Sequence, residues 1–372
     1  MKPPPGLFSS PTSDVCKLKR SLYGLKQAPR AWCDKFRSTL LQLSFEQSCV
    51  LLLVYVDDII ITGTDSSLIT SLQQQLKDSF HMKDLGTLTY FLGLEVHYNS
   101  LGVFLNQCKY TQDLIALAGL QESPSVDTPL ELNVKYRRDE RDLIPDPTLF
   151  RQLVGSLNYL TITRPDIFFA VQQVSKFMQN PCHLHVVDVR RIIRYLSGTS
   201  TRGLFFPSGS PIQLKAFSDS DWAGCSDTHC SVMGWCMSLG DSLISWKSKK
   251  QDCVSKSSTE AEYRAMYTAC SEIIWLRGLF AEIEFPQSSP TSFYADNTSV
   301  IQIATNPVYH ERTKHIEVDC HFIREAVDRR VIPLPHVSSD LQIADMFTKS
   351  MARQCHRFLL GKLMLVDPPT SI

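Results

Sequence analysis

One stretch constrains this chain more than any other. From Ser258 to Glu284 the residues Met266, Ala269, Ile273, Leu276 and Phe280 recur at steps of three and four, the period of one helix face. The spacing predicts a single long helix with that seam turned into a core. One more step of four back along the seam lands on Glu262. A carboxylate on a buried face is costly unless a cation or strong donors accompany it. The competing explanation is a capping box, since Thr259-x-x-Glu262 fits the S/T-x-x-E pattern of a helix start. Glu260 lies on another face and reads as a first-turn acid favoured by the helix dipole.

Three more carboxylates fall at comparable places. Asp219 follows the strand-like stretch Leu214 to Ser218, and Asp296 follows Phe293 to Ala295 and precedes a helical stretch. Carboxylates at strand ends sit on the rim of a sheet, where α/β enzymes place their chemistry. Taken alone, Asp296 is better explained as a helix N-cap, and Asp219 as a turn residue. Asp345, within the apolar stretch Gln342 to Phe347, reads as part of a C-terminal helix; alone it is a polar position on a surface helix. Asp221, beside Asp219, reads as a supporting or surface residue.

Elsewhere the pattern alternates between strands and helices. Val50 to Val56 is apolar and β-branched, Asp57-Asp58 follow, and Ile59 to Ile61 resume the run. That reads as a hairpin closed by a tight acidic turn. Helices are expected over Pro29–Leu43, Leu68–Phe80 and Tyr110–Leu120, and strands over Leu88–Val96 and Val103–Asn106. Glu122 to Pro147, with prolines at 124, 129, 145 and 147, reads as a linker. A helical block from Pro147 to Gly198, broken near Pro165 and Pro181, precedes strands at Leu204–Phe206, Gln213–Ser218 and Trp235–Trp246. A further strand at Ser292–Ala295 and a helix over Thr298–Thr305 follow. This mixed order means α/β or α+β, and 372 residues allow two or three domains.

Charge and cysteine usage narrow the functional classes. Lys+Arg and Asp+Glu are 38 each, for a net charge of zero, whereas a generic nucleic-acid binder carries a positive surplus. Any such contact must come from local clusters: Lys17, Lys19, Arg20, Lys26 and Arg30; Arg190, Arg191 and Arg194; or Arg312, Lys314 and His315. Each is equally explained as solvated surface. The 12 cysteines include no CxxC pair, so they read as free thiols of a reducing compartment. The N-terminus lacks a secretory signal, and the apolar run Val50–Ile61 is short and split by acids, so no membrane span is expected. A soluble protein of the cytoplasm or nucleus is the expectation.

Singly, the four carboxylates lose or nearly lose to capping and turn explanations; their order is more specific. The blocks AFSDSDWAGC (216–225), KSSTEAEYRAM (256–266), YADNTSVIQIA (294–304) and QIADMFTK (342–349) resemble the ribonuclease H region of plant copia-type (Pseudoviridae) LTR retrotransposon Pol polyproteins. LVYVDDI (53–59) resembles the reverse-transcriptase hairpin, with Tyr55, Asp57 and Asp58 as its motif. It is supported by SLYGLKQAPRAW (21–32), FHMKDLGTLTYFLGLEV (80–96), FRQLVGSLNYLTITRPDI (150–167) and RYLSGT (194–199).

The resemblance implies a truncated reverse-transcriptase palm and thumb over 1–125, a connection-like helical region over 126–210, a ribonuclease H domain over 211–349 and a C-terminal tail over 350–372. The last domain would have a mixed sheet flanked by helices. The implied activity is metal-dependent hydrolysis of the RNA strand of an RNA–DNA hybrid, with two Mg²⁺ or Mn²⁺ ions. Asp219 would bridge both ions, Glu262 and Asp296 would complete one site, and Asp345 the other. Lys26, Arg30, Arg312, Lys314 and His315 are candidate nucleic-acid contacts.

Two departures from the family pattern matter. The polymerase's third Asp belongs to a strand preceding MKPPPGL, and the segment between Phe45 and Val50 is short, so no polymerase activity is expected of this chain alone. His336 falls at a strand position rather than in the loop where many cellular ribonucleases H carry a catalytic His. No HHCC pattern supports an integrase. The alternative is an inert retroelement remnant, at most a nucleic-acid-binding protein; association as a homodimer stays open.

Overall fold

The computed structural model describes residues 28–40, 49–80, 82–132, 134, 142–306 and 317–368. They divide into two units, Met1–Thr87 and Leu88–Ile372.

In the first unit, helix α1 (Ala28–Leu40) precedes strands β1 (Val50–Tyr55) and β2 (Asp58–Gly63), and helix α2 (Ser66–Phe80) follows. The expected hairpin is present, with Tyr55 paired to Asp58. Its turn is therefore Val56-Asp57, one residue earlier than the sequence suggested, and Asp58 opens β2. The reason is register: pairing Val54 with Ile59 and Leu53 with Ile60 keeps the apolar runs opposite one another. Val56 takes φ 48° at this turn, a costly conformation for a β-branched residue. Asp65 caps α2 by accepting from the backbone N–H of Ser67 and Leu68, and Leu72 and Leu76 form its buried stripe.

The second unit holds two sheets and a helical layer. Strands β3 (Tyr90–Phe91), β4 (Leu94–Asn99) and β5 (Gly102–Asn106) form an antiparallel meander, followed by α3 (Cys108–Leu117). Helices α4 (Thr148–Leu160), α5 (Phe168–Ser175) and α6 (His183–Ser197) fill the expected helical block. Its breaks fall as Pro165 and Pro181 dictate, because proline lacks the N–H that an interior helix turn needs. Phe150, Leu157, Ile167, Val171, Val189 and Ile192 are among the side chains packed into its core.

A buried charge network locks this layer. The Arg164 guanidinium forks onto Asp166 at 2.9 and 2.7 Å and donates to the Thr199 carbonyl and hydroxyl at 2.7 and 2.8 Å. Tyr195 donates to the same carboxylate at 2.6 Å. Burial pushes the Asp166 carboxyl up, but Arg164 beside it brings the pKa below its ordinary value. Removing either charge would strand the other, which typically costs about 3–5 kcal/mol.

The described residues of the expected linker carry no helix or strand between Glu122 and Pro147. Arginines of α6 hold this region down. Arg191 pairs with Glu131 at 2.6 Å, Arg194 donates to the Pro124 carbonyl at 2.8 Å, and Arg190 reaches the Ala118 carbonyl at 3.4 Å. Arg190 and Arg194 thus anchor the chain's own backbone, and Arg191 anchors side chains of the same stretch.

Strand β6 (Gly203–Pro207) joins β5, and β7 (Leu214–Ser220), β8 (Val232–Leu239) and β9 (Ser242–Lys250) form a second meander. The long helix α7 (Ser258–Glu282) leads to β10 (Ser292–Tyr294), which pairs parallel with β7. The sheet order is β10-β7-β8-β9. A parallel bridge between Ala295 and His336 extends the β10 edge. Helices α8 (Thr298–Thr305) and α9 (Glu317–Asp328) follow β10; α9 went unread in the sequence.

The β8 residues alternate between two cores, as side chains of a strand must. Trp235 and Met237 join Met266, Ile273, Phe293 and Ile323 under α7 and α9. Cys236 joins Phe347, Leu360 and Leu365 on the opposite face. That second core contains α10 (Arg353–Lys362) and β11 (Leu365–Val366), so residues 353–366 fold as helix and strand. β11 pairs with β6 and completes the order β11-β6-β5-β4-β3. Among the described residues no cysteine forms a disulfide, and no helix is long and apolar enough to cross a membrane.

Candidate metal centre

Three carboxylates converge at the C-terminal ends of the parallel pair β7 and β10. Asp219 lies within β7, paired with Gly234 of β8, rather than after the strand as expected; it is 2% exposed. Glu262, the fifth residue of α7, is buried on the face that packs over the sheet. Asp296 follows the parallel strand β10. Tyr294 pairs with Phe217, and two residues further along that register Asp296 stands level with Asp219. One carboxylate oxygen from each of Asp219, Glu262 and Asp296 lies within 4.8 Å of the others.

Local structure removes the simpler explanations. The N-cap of α7 is Ser257, whose hydroxyl accepts from the Glu260 N–H at 3.1 Å, so Thr259 and Glu262 are not a capping box. Glu260 is itself buried; it accepts from the Lys256 N–H and pairs with Arg264 at 2.7 Å. It is an anchored acid of the helix start, beyond the dipole role read from sequence. The N-cap of α8 is Asn297, accepting from Ser299 and Val300, so Asp296 is not a cap either.

Asp345 lies in a 3-10 turn, Ile343–Phe347, and not in the C-terminal helix read from sequence. Gln342 caps that turn through the Ala344 N–H and also donates to the Ser218 carbonyl at 2.9 Å. These bonds draw the chain onto β7 in a tight turn. Gly234 allows the approach: a Cβ there would meet Phe347 Cβ at 2.6 Å and Thr348 Cγ2 at 2.8 Å. Ser248 of β9 donates to the Phe347 carbonyl at 2.6 Å.

Lys349 links Asp345 to Asp219. Its ammonium lies 2.9 Å from Asp345 Oδ1 and 3.5 Å from Asp219 Oδ2. The Thr348 hydroxyl donates to Asp219, and the Ser339 hydroxyl donates to Asp296 at 2.8 Å. Thr348, Lys349 and Ser339 were not singled out from sequence. Lys349 stands four residues after Asp345, a spacing that pairs charges on a helix and could have flagged it.

The electrostatics show an excess of negative charge. Burial, then Asp219 and Asp296, push the Glu262 carboxyl up to about 9. Burial and Asp219 push Asp345 up to about 7. The Lys349 pKa lies above its ordinary value; burial opposes this, but Asp219 and Asp345 outweigh it. Buried oxygens at this spacing, short of cationic partners, fit a hard divalent cation.

Asp221 has another role. Its carboxylate accepts from the backbone N–H of Val232 and Gly224, tying the loop after β7, and burial pushes its pKa up to about 6. His336 occupies the strand position expected, with Nε2 3.2 Å from the Asp296 carbonyl. Tyr55, Asp57 and Asp58 lie together at the exposed tip of the β1–β2 hairpin. Lys26, Arg312, Lys314 and His315 lie outside the described residues, and of Arg30 only its place in α1 is described.

A mixed sheet in which β10 runs parallel to β7 and β8 and β9 continue antiparallel, a long helix over one face, and carboxylates from β7, from the end of β10 and from the helix define a ribonuclease H-like fold. The chain belongs to the retrovirus-related Pol polyprotein family of copia-like transposons. It is 40% identical over its whole length to the Pol polyprotein of transposon RE1 of Arabidopsis thaliana and covers 26% of that relative. The chain thus spans about a quarter of the length of such curated relatives. A transposon Ty5-1 protein of Saccharomyces cerevisiae is 30% identical over 71% of this chain and 91% of its own length. Residues 1–132 match the family "Reverse transcriptase (RNA-dependent DNA polymerase)". Among solved structures, a foamy viral protease-reverse transcriptase in complex with RNA/DNA hybrid overlaps 86% of this chain and 39% of its own, at 12% identity and a TM-score of 0.44.

Proposed function

We propose that residues 211–349 form a ribonuclease H that cleaves the RNA strand of RNA–DNA hybrids. One observation carries the reading: Asp219, Glu262 and Asp296 meet within 4.8 Å although they come from three separate elements. Asp219, Glu262 and Asp296 would hold a divalent cation, Mg²⁺ or Mn²⁺, with Asp345 beside them. Such an ion supplies an activated water and offsets charge on the scissile phosphate.

The chain's own residues set up that chemistry. Thr348 fixes the rotamer of Asp219, and Ser339 fixes that of Asp296. The buried wall of α7 excludes solvent from one side of Glu262, which strengthens every electrostatic interaction there. Without a cation Glu262 holds a proton at neutral pH and Asp345 is about half protonated; binding a cation releases these protons. Hybrid selectivity would rest on groove shape and the 2′-hydroxyl, which distinguishes RNA from DNA.

The test incubates the full chain with end-labelled RNA–DNA hybrid and Mg²⁺, beside DNA duplex and single-stranded RNA. Cleavage confined to the hybrid, abolished by EDTA and by Asp219→Asn, supports the reading. A folded chain that leaves the hybrid intact at every protein concentration refutes it and favours an inert remnant.

A further inference from the structure

The four acidic side chains do not contribute equally. Asp219, Glu262 and Asp296 close into one triangle, whereas Asp345 stands outside it. The space joining Asp345 to Asp219 contains the Lys349 ammonium, at 2.9 and 3.5 Å from one oxygen of each. Those are contact distances, and a cation shared by the two carboxylates has to occupy the same place. An ammonium is a compact point charge on a flexible stem, well suited to fill it.

The backbone holds Lys349 there. The N–H groups of Thr348 and Lys349 both donate to the Asp345 carbonyl, at 3.2 and 3.1 Å. This folds residues 345–349 back on themselves and places the two side chains together. The charge meets a need, since the Asp219 and Asp345 side chains are only 2% and 13% exposed. Lys349 itself is 44% exposed, so its stem has a path into solvent.

We propose that Lys349 is a tethered counter-ion occupying the position between Asp219 and Asp345. The resting centre then takes one divalent ion, at Asp219, Glu262 and Asp296. A second ion enters only when the Lys349 ammonium leaves. This rests on the reading of the carboxylates as a divalent-cation site. Lys349 is a positioning residue in this scheme: it sets how many ions the site accepts.

Ion stoichiometry tests the inference without reference to cleavage. The full chain is titrated with Mn²⁺ by calorimetry and by electron paramagnetic resonance, as wild type and as K349M, K349R and D296N. One bound Mn²⁺ is expected for wild type and K349R, and two for K349M. The second ion should bind K349M at least about tenfold more tightly than wild type, as expected when a like charge at this distance is removed. D296N should lose the first ion. K349Q replaces K349M if circular dichroism shows that variant unfolded. Equal stoichiometry and affinities in wild type and K349M overturn the counter-ion role while leaving the cation site standing. Failure of every variant to bind Mn²⁺ overturns the cation site, and the inference with it.

Discussion

The chain carries two acidic motifs, and they differ in almost every physical respect. Asp57 and Asp58 are neighbours in sequence, presented by a local hairpin, and both are exposed. Asp219, Glu262, Asp296 and Asp345 are scattered over a third of the chain, yet β7, α7, β10 and a 3-10 turn draw them into a largely buried cluster. Exposed carboxylates are hydrated and screened, so their proximity costs little. Buried ones confined within 4.8 Å repel strongly unless protonated or paired with a cation. Adjacency makes a motif conspicuous, whereas burial and convergence give a site its demand for a cation.

The sharpest way to break this comparison is to neutralise one carboxylate in each motif. Asp219→Asn keeps the side-chain volume, and hybrid cleavage should fall by about a thousandfold or more, matching a loss of several kcal/mol of charge stabilisation. Steady-state cleavage rates measure it; a loss of only a few-fold would mean the cluster is not the reacting centre.

Next in size is the support beneath the cluster. Gly234→Ala drives a methyl into Phe347 and Thr348, and overpacking of this kind costs about 1–3 kcal/mol. A lower denaturation midpoint with reduced cleavage is expected. An unchanged midpoint would show that residues 347–348 can retreat from β8.

A pH series sharpens the electrostatic side. Glu262 and Asp345 titrate higher in the folded chain than in the unfolded one, near 9 and 7. The folded chain keeps the Glu262 proton between about pH 4.5 and 9 and the Asp345 proton between about pH 3.8 and 7, where the unfolded chain has lost them, so stability declines as pH rises through those windows. With EDTA, the melting temperature should be lower at pH 8 than at pH 6, and Mg²⁺ should narrow the gap. A gap unaffected by Mg²⁺ would place the pH dependence elsewhere.

The smallest effect belongs to the hairpin. Asp57→Asn and Asp58→Asn should change stability by less than about 0.5 kcal/mol, as exposed substitutions usually do, and leave hybrid cleavage within about twofold of wild type. A large loss of cleavage from either would erase the distinction between the motifs.

Much of this arrangement is legible in the sequence. The seam of α7 fixes both the helix and the inward face of Glu262. The hairpin and the helical block appear where period and proline place them, whereas Leu88–Val96 and Trp235–Trp246, each read as one strand, are split by a turn into β3 and β4 and into β8 and β9. The missed parts depend on distant partners. Helix α9 completes the core under α7, and β11 exists because β6 offers an open edge. Asp345 reads as helical from its apolar neighbours, but the bonds from Gln342 and the gap at Gly234 tighten the chain into a 3-10 turn. Capping misled in the same way: Ser257, two residues before Thr259, and Asn297, next to Asp296, took the role and freed the carboxylates.

The five-stranded sheet has a consequence for the order of synthesis. Strand β5 waits about a hundred residues for β6, and β6 keeps one edge unpaired until residues 365–366 emerge. At a ribosomal rate of about 5–20 residues per second, that edge stays open for on the order of ten seconds or more. An open edge is a template for pairing with other chains. On a crowded polysome, nascent copies of this chain are therefore exposed to cross-pairing through β6, a hazard that β11 reduces by covering Gly203 and Leu204.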